Sequence, residues 1–333
     1  MLISAPHPLV PITQAQPLTT PMRVQTLQTP DKRHLRASAW DLAAGAVPRA
    51  ICVLLNGHTE FLEKYGEVAG ELNARGFSVV SLDWRGQGAS ERKVYGNRAG
   101  HVGNFEEYDS DLASLLLQMV EPMQRALPAR APLIALAHSM GAHILFRYLH
   151  DFPRRLACAV ALAPMLEINP GERSERQIRA VTFALNLRRP STRFVPGVEE
   201  RDPLELPFEG NPLTSDEQRF ERTRALMKKQ PFLRINGPTF GWLGAALKSM
   251  AKLRRPSFIE EITTPLLVFG AGQDRVVRIE AIREFAKHLP NGRYVEIAEA
   301  RHEILMEDDS IRARFWNEFD GFVNANLAQA ASR

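Results

Sequence analysis

The sequence predicts an α/β fold in which helices cover both faces of a mostly parallel sheet, with one long insertion between two strands. Apolar segments of strand length alternate with amphipathic segments of helix length along most of the 333-residue chain. The strand segments are apolar throughout, as expected of parallel strands that are buried on both faces. Residues 167–258 break the alternation, so we interpret them as the insertion.

The first half of the chain supplies most of the predicted elements. Residues 1–21 are interrupted by prolines and predict an irregular lead-in. Residues 22–42 alternate around a Pro-Asp-Lys turn and predict a β-hairpin. Asn104 with Glu107 three residues later is typical of a helix start. Strands are predicted at 51–57, 77–84, 132–139 and 156–164, with helices at 61–76, 104–128 and 140–153.

The alternation resumes after the insertion. A strand at 265–274, a helix at 278–290 and a strand at 292–302 repeat the earlier pattern, and an amphipathic helix at 309–330 closes the chain. The main body is therefore predicted at residues 22–166 and 259–333.

The inserted segment at 167–258 also differs in charge. It has 17 Lys/Arg and 11 Asp/Glu residues, a net charge of +6, which leaves −2 for the rest of a chain whose total is +4. This charge is too weak and too local to indicate nucleic-acid binding, so we expect none. Residues 239–253 have an apolar stripe at helical spacing. The stripe predicts either a helix packed on the main body or a surface that contacts acyl chains or lipid.

Residues 137–141 read Ala-His-Ser-Met-Gly and lie between a predicted strand and a predicted helix. They approximate Gly-x-Ser-x-Gly, the turn that projects a nucleophilic serine from the carboxyl edge of a sheet. The turn is so tight that the residues two before and two after the serine must be small, and here they are Ala137 and Gly141. Ser139 is therefore the candidate nucleophile.

A serine nucleophile needs a base, and the base needs an orienting acid. Asp274 ends one predicted strand and His302 follows the next, at the edge of the sheet where Ser139 is expected. Taken alone, Asp274 could cap a helix and His302 could be an ordinary loop histidine. The order Ser, Asp, His is the one that accompanies this serine turn. Together these residues predict a Ser139–Asp274–His302 triad.

Other polar residues compete less well for these roles. Strand alternation is expected to turn the ring of His138 away from the serine side. Asp83 ends the strand at 77–84 and is the main alternative acid, but the turn Arg-Gly-Gln-Gly follows it. The remaining candidate histidines are assigned to packing, surface or capping roles, and they are His143, His150 and His288.

Acyl transfer also needs donors for the oxyanion. The backbone N–H of Met140 directly follows the nucleophile and is one expected donor. The N–H of His58, after the strand that ends near Gly57, is the other. The alternative for His58 is that its side chain forms a pocket wall.

Several segments of the chain carry a resemblance to one family. They are LLNGHTEFLEKY (54–65), DWRGQGAS (83–90), HVGNFEEYDSDL (101–112), AHSMGA (137–142), NPLTSDEQRF (211–220), GPTFGWL (237–243) and ARHEILME (300–307). In these segments the chain resembles the α/β-hydrolase superfamily, and within it the monoacylglycerol lipases and bacterial lysophospholipases. The likeness spans about residues 22–325. Two positions depart from the family pattern: Asn56 stands in place of a histidine and Ala137 in place of a glycine.

The resemblance implies an α/β-hydrolase catalytic core with a mainly helical cap over the active site. The cap would be the insertion at 167–258, and the substrate an acyl ester with one chain. In the family's strand order, one strand separates Cys52 from Cys158, about 9–10 Å apart. That distance excludes a disulfide, so we expect two buried free thiols.

The leading hypothesis is therefore a serine carboxylester hydrolase that acts on lysophospholipid or monoacylglycerol, without a metal or cofactor. The alternatives are an esterase or thioesterase for a small soluble substrate and a catalytically silent scaffold. The amino-terminal residues do not resemble a signal peptide, and no apolar stretch has the length of a membrane span. We expect a cytoplasmic protein, with contact between the basic cap and anionic membrane as a further hypothesis. The sequence specifies no oligomeric state.

Overall fold

A computed structural model describes the chain at residues 21–92, 98–128, 130–171, 175–187, 191–196 and 202–331. Residues 1–20 of the predicted lead-in at 1–21 lie outside these ranges. Ten strands occur among the described residues. They are β1 (Met22–Gln28), β2 (His34–Trp40), β3 (Ala50–Leu55), β4 (Phe77–Leu82), β5 (Ala99–Gly100), β6 (Leu133–His138), β7 (Cys158–Leu162), β8 (Gly237–Pro238), β9 (Leu266–Ala271) and β10 (Gly292–Ile297).

Eight of these strands form one twisted sheet in the order β1-β2-β4-β3-β6-β7-β9-β10. The predicted hairpin is confirmed, since β1 pairs with β2 in antiparallel register. β2 is also antiparallel to β4, and every later pair in the sheet is parallel. The carboxyl ends of β3, β6, β9 and β10 therefore lie at the same edge of the sheet.

The helices cover both faces of the sheet, as predicted. They are α1 (Gly66–Ala74), α2 (Glu106–Leu115), α3 (Glu121–Ala126), α4 (Met140–Asp151), α5 (Glu175–Leu185), α6 (Glu217–Lys229), α7 (Phe240–Leu253), α8 (Pro256–Ile259), α9 (Ile279–Lys287) and α10 (Asp309–Ala331). One apolar core lies between the sheet and α1 and α10, and the other between the sheet and α2, α4, α7 and α9. Alternate residues of β3 enter opposite cores, which explains why the strand is apolar throughout.

Two predicted helices are less regular than the sequence suggests. The helix predicted at 104–128 begins with the expected capping pair, because Asn104 and Glu107 bond each other's backbone amides through their side chains. It then contains a π turn at Leu116–Val120 between α2 and α3. The helix predicted at 61–76 divides into a 3₁₀ turn, Leu62–Tyr65, followed by α1.

The inserted segment between β7 and β9 is mainly helical and contributes α5 to α8. Its short strand β8 pairs with β5 of the main body. The buried side of α7 joins the core of the main body. The apolar stripe at 239–253 is therefore part of a helix packed on the main body, which is one of its two predicted interpretations. In the part of the chain that the structure describes, no helix is long and apolar enough to cross a membrane.

The two cysteines occupy one row of the sheet on either side of β6. Cys52 on β3 and Cys158 on β7 both pair with Ile134. Both thiols are buried and free. The prediction of two free thiols separated by one strand is confirmed.

Candidate active site

Ser139 lies between β6 and α4 in a strained turn. Its φ of +50° and ψ of −113° fall where residues other than glycine rarely occur. Such a conformation costs on the order of 1–3 kcal/mol and persists only when its surroundings enforce it. Here the Ser139 amide donates to the carbonyl of Leu162 at 2.9 Å, and its carbonyl accepts from the amides of His143 and Met165. Hydrogen bonds to α4 on one side and to the end of β7 and the residues after it on the other therefore hold the turn.

Gly141 shows how closely the chain approaches itself behind this turn. A Cβ atom at Gly141 would lie 2.4 Å from the carbonyl oxygen of Leu55 and 2.5 Å from that of Asn56. Both atoms belong to the backbone at the end of β3. The small residue that the sequence analysis required at this position therefore has a direct steric reason.

The structure brings the three predicted triad residues into one chain of hydrogen bonds. The Nε2 atom of His302 is 3.0 Å from the Ser139 hydroxyl, and its Nδ1 atom is 2.7 Å from Oδ2 of Asp274. All three side chains are buried. Because a carboxylate can only accept, Nδ1 carries the proton and Nε2 is free to accept from the serine hydroxyl. This is the protonation pattern that general-base catalysis requires.

Asp274 is held in place by two further donors. Its Oδ1 atom accepts from the amides of Val276 and Val277 at 2.8 and 2.9 Å. Burial alone would raise the pKa of Asp274, but the charge and hydrogen bond of His302, together with these amides, hold the pKa below its usual range. The helix-capping interpretation of Asp274 is wrong, because α9 begins after Arg278 without a side-chain cap and Oδ1 of Asp274 instead bonds amides in the turn before that helix.

The two predicted oxyanion donors are the backbone amides of His58 and Met140. Among the described residues, neither the amide of His58 nor that of Met140 has a protein acceptor. The loop that contains His58 is braced on both sides. The Gly57 amide donates to Oε2 of Glu60, and the Thr59 amide donates to Oε1 of Gln87.

The side chain of His58 also has a definite position. Its ring packs against Trp242 of α7, with 4.2 Å between the ring centroids. Burial lowers the pKa of His58 to about 3, so the ring is neutral at physiological pH. The ring of His58 packs on Trp242, whereas its amide makes no hydrogen bond to a described residue. A role of the amide as oxyanion donor and a role of the side chain as a pocket wall therefore do not exclude each other.

The competing residues have other partners. Asp83 accepts from Arg36 at 2.6 Å and from the amides of Leu62 and Ala89, so it anchors the turn that follows β4. His143 packs in the core, with its ring nitrogens bonded to Met165 and Ser249. His150 contacts Asp151 and Glu261, and His288 contacts Glu284, as expected of surface histidines.

Sequence reasoning missed three residues that support the site. His138 is buried with its ring centroid 4.8 Å from that of His302, a contact that strand alternation alone does not predict. Glu60 and Gln87 brace the loop around His58. The motif segments at 54–65 and 83–90 contain Glu60 and Gln87 without revealing what they contact. A further local signal was the i,i+4 spacing of Glu60 and Lys64, which form an ion pair of 2.8 Å.

Asn56, which departs from the family pattern, braces the end of β3. Its side-chain amide donates to the carbonyl of Leu82 at 2.7 Å, and its own carbonyl accepts from the indole of Trp84. The side-chain Oδ1 of Asn56 is buried, with no partner among the described residues.

An apolar cavity of about 420 Å³ lies in the inserted segment. It is lined largely by α5 and by the face of α7 that contains Phe240, Trp242, Leu243, Leu247 and Met250. Trp242 connects this cavity to the site, because its ring also packs on His58. The apolar stripe thus forms a cavity wall as well as a core contact. No group of three or more potential ligands for a metal ion occurs within the described ranges.

The strand order and the strained serine turn at the carboxyl edge define an α/β-hydrolase fold. The comparison with solved structures agrees: a soluble variant of monoglyceride lipase from Saccharomyces cerevisiae superimposes with a TM-score of 0.74. The match covers 97% of this chain and 99% of the yeast chain, at 18% sequence identity.

Sequence comparison assigns the family. The model of the Hydrolase_4 family, described as serine aminopeptidase, S33, matches residues 46–309, and the chain belongs to that family. Lysophospholipase L2 of Escherichia coli K12 is 32% identical over 296 residues, which cover 85% of this chain and 83% of the relative. The probable lysophospholipase L2 of Haemophilus influenzae is 28% identical over 276 residues, covering 83% and 84%. The family resemblance stated from motifs is confirmed.

Proposed function

We propose that the protein is a serine carboxylester hydrolase that cleaves the acyl ester of monoacyl lipids, either lysophospholipid or monoacylglycerol. The hydrogen-bonded arrangement of Ser139, His302 and Asp274 carries the proposal of ester hydrolysis. The lysophospholipase relatives and the apolar cavity beside His58 favour a lipid substrate. The cavity is of the size that small-molecule sites have in general, about 300–1,000 Å³.

The proposed mechanism assigns one role to each group. The Ser139 hydroxyl attacks the ester carbonyl carbon while its proton moves to Nε2 of His302. Asp274 holds the Nδ1 proton and stabilises the imidazolium, and the amides of His58 and Met140 bind the oxyanion. The imidazolium then protonates the leaving alcohol, and an acyl-enzyme remains. His302 next activates water, which hydrolyses the acyl-enzyme and releases the fatty acid.

We also propose that residues 167–258 form a cap on a core made of residues 22–166 and 259–333. The cap segment around Leu213 lies directly on the loop that contains the proposed base. The amides of His302 and Glu303 donate to the carbonyls of Pro212 and Leu213 at 3.4 and 2.8 Å. The buried Arg219 on α6 adds ion pairs to Glu67 and Asp309 of the core. These contacts support a cap whose α6 side is fixed beside the site.

A substrate panel tests the proposed function. Purified protein is assayed on lysophospholipids, monoacylglycerols and short p-nitrophenyl esters of graded acyl length. We expect kcat/KM to rise with acyl length for the monoacyl lipids. A preference for short soluble esters, with no gain from a longer chain, would contradict the lipid assignment and favour the small-substrate esterase.

The cavity predicts how acyl-chain preference can be changed. Leu247→Trp places a larger side chain in the cavity and reduces its volume, so long acyl chains should lose roughly fourfold in kcat/KM for each methylene that no longer fits. Short esters should be affected little. The matched control is Leu117→Trp, which places the same side chain at an exposed position outside the cavity. Equal losses for short and long chains in Leu247→Trp would show that the acyl chain binds elsewhere.

We further propose a cytoplasmic enzyme that contacts the inner face of an anionic membrane through its cap. The two free cysteines are compatible with a reducing compartment. Ion pairs to carboxylates occupy several arginines within the described part of the cap, among them Arg219, Arg222, Arg224, Arg234 and Arg254, but pairing does not alter the net charge of +6. The apolar side chains of Phe183 and Leu187, at and just after the end of α5, are 71% and 70% exposed. Apolar side chains within a basic surface are typical of interfacial binding.

Removal of these two side chains should weaken membrane binding. The double variant Phe183→Ser/Leu187→Ser is expected to lose at least about tenfold in affinity for vesicles that contain anionic lipid, because two apolar side chains no longer insert. Co-sedimentation across a salt series measures the effect. Phe152→Ser is the control, since Phe152 is similarly exposed but lies at the end of α4 remote from Ser139. Binding that is independent of lipid charge would contradict the proposal.

A further inference from the structure

The imidazole of His138 lies between two groups that can only accept hydrogen bonds. Its Nε2 atom is 3.1 Å from the backbone carbonyl oxygen of His302, and its Nδ1 atom is 3.1 Å from Oε2 of Glu60. A neutral imidazole has one N–H and one unprotonated nitrogen, so one of these contacts would place two lone pairs against each other. A doubly protonated ring donates to both acceptors.

Glu60 is an ionised partner for such a ring. Its two oxygens accept from the Gly57 amide, the Tyr65 hydroxyl and the Lys64 ammonium group as well as from His138. Burial alone would raise the pKa of Glu60, but the charges of Lys64 and His138 hold it well below its usual range. Burial alone would lower the pKa of His138, but the charge and hydrogen bond of Glu60 outweigh burial and raise it.

The charges around His138 balance only when this histidine is protonated. Lys64 bonds Glu60 at 2.8 Å and Glu303 at 2.6 Å. These three side chains and His138 are each less than a tenth exposed. Two carboxylates and one ammonium group leave a buried net charge of −1, which an imidazolium reduces to zero. A neutral cluster is favoured because an unpaired buried charge is strongly destabilising.

The remaining titratable neighbours do not change this count. Burial, followed by the charge of Glu60, raises the pKa of Tyr65 well above its usual value, so its hydroxyl stays neutral. Asp274 is paired with His302 through the Nδ1 atom of that ring. The cluster therefore needs one further positive charge, and His138 is the group that can supply it.

We propose that His138 is a buried imidazolium that positions His302 and tunes the pH at which His302 acts as a base. The proposal rests on the proposed function only for the role of His302. The N–H of His138 fixes the backbone at His302, and its ring centroid lies 4.8 Å from that of His302. A cation at this distance opposes the arrival of a second cation on the neighbouring ring. His138 is a positioning residue and does not touch the substrate.

The first test is independent of activity. The full chain is labelled with ¹⁵N-histidine, and His138→Gln assigns the resonances of His138. We expect both ring nitrogens of His138 to be protonated at pH 7.5, as their ¹⁵N chemical shifts report directly. A single N–H on His138 at this pH would overturn the proposal. This measurement stands even if the protein hydrolyses none of the proposed substrates.

The second test is the acid limb of the kcat/KM profile, which reports loss of a proton from the base. Removal of the charge in His138→Gln should move this limb to higher pH by about 0.6 pH unit or more, the effect of one unit charge at this distance in water. A merely structural role would lower activity without moving the limb, and that outcome would overturn the tuning. If His138→Gln does not fold, the pH series of the wild-type ¹⁵N spectra, assigned by elimination with the other histidine variants, decides the question.

His143→Gln is the matched control for the second test. His143 is a buried histidine on the same strand–helix unit, and burial lowers its pKa to about 3, so its ring carries no charge at neutral pH. Its replacement removes a buried imidazole without removing a charge. We expect the acid limb of this variant to coincide with that of the wild type, and an equal shift in both variants would overturn the assignment to His138.

Discussion

Ser139→Ala should abolish ester hydrolysis, with a loss of at least about 10³-fold in kcat, while the fold is retained. The hydroxyl is the proposed nucleophile, and removal of a member of such a triad leaves only the contribution of the oxyanion donors and of substrate binding. The methyl group of alanine fits wherever the serine Cβ fits, so the strained turn is preserved. The measurement is steady-state turnover of a monoacyl lipid, together with covalent labelling by a fluorophosphonate probe.

Ser81→Ala provides the control for this experiment. Ser81 is a buried serine on β4 whose hydroxyl has no partner among the described residues. This variant should keep full turnover and full labelling. Full turnover in Ser139→Ala would refute the proposed mechanism. Unlabelled wild-type protein without turnover would favour the catalytically silent scaffold.

The fold was predictable because its signals are local. Each strand of the parallel part is buried on both faces, so its residues are apolar without alternation, as β3 shows by sending Ile51 and Cys52 into opposite cores. The hairpin at the start has its own turn signal. The interruption in the helix after β5 was not predictable, since the π turn at Leu116–Val120 has no distinct residue pattern in the sequence.

The site was predictable where chain order and the fold together determine position. Ser139, Asp274 and His302 each follow a strand, and the parallel strands β6, β9 and β10 bring those ends to the same edge of the sheet. Their catalytic roles stay predictions that the variants above test. The support from Glu60 and His138 depends on contacts between residues 78 positions apart, and no periodicity in the sequence encodes such a contact.

The inserted segment that we propose as a cap was recognisable from its composition but not from its contacts. Its arginines predicted a basic surface, yet Arg219 is buried and binds Glu67 on the core. Burial of an arginine depends on where its carboxylate partners are in space, which sequence spacing does not reveal. The positive charge of the inserted segment is therefore divided between ion pairs with the rest of the chain and the exposed surface.

Gly141→Ala should damage both stability and activity, although it adds a single methyl group. That group would lie 2.4 Å and 2.5 Å from two backbone carbonyl oxygens at the end of β3. Neither oxygen can move without displacing the loop that contains the amide of His58. We expect a loss of roughly 1–3 kcal/mol in the free energy of unfolding, as for other overpacked sites, and a fall of at least about tenfold in kcat from the displaced oxyanion donor.

Gly66→Ala is the matched control, because it makes the same substitution where the chain has room. A Cβ atom at Gly66 has nothing within 4 Å, and the backbone there is already helical, with φ of −57°. This variant should gain up to about 1 kcal/mol, since alanine restricts the unfolded chain more than glycine does. Denaturant unfolding and turnover of both variants measure the difference. If Gly141→Ala matched Gly66→Ala in both, the close approach behind Ser139 would not be what holds the nucleophile turn and the oxyanion loop in register. The contrast also bears on Ala137, where the chain already carries a methyl group on the other side of the serine. The turn accepts a methyl before the nucleophile, and we expect it to reject one after it because that methyl would meet the carbonyl oxygens of Leu55 and Asn56.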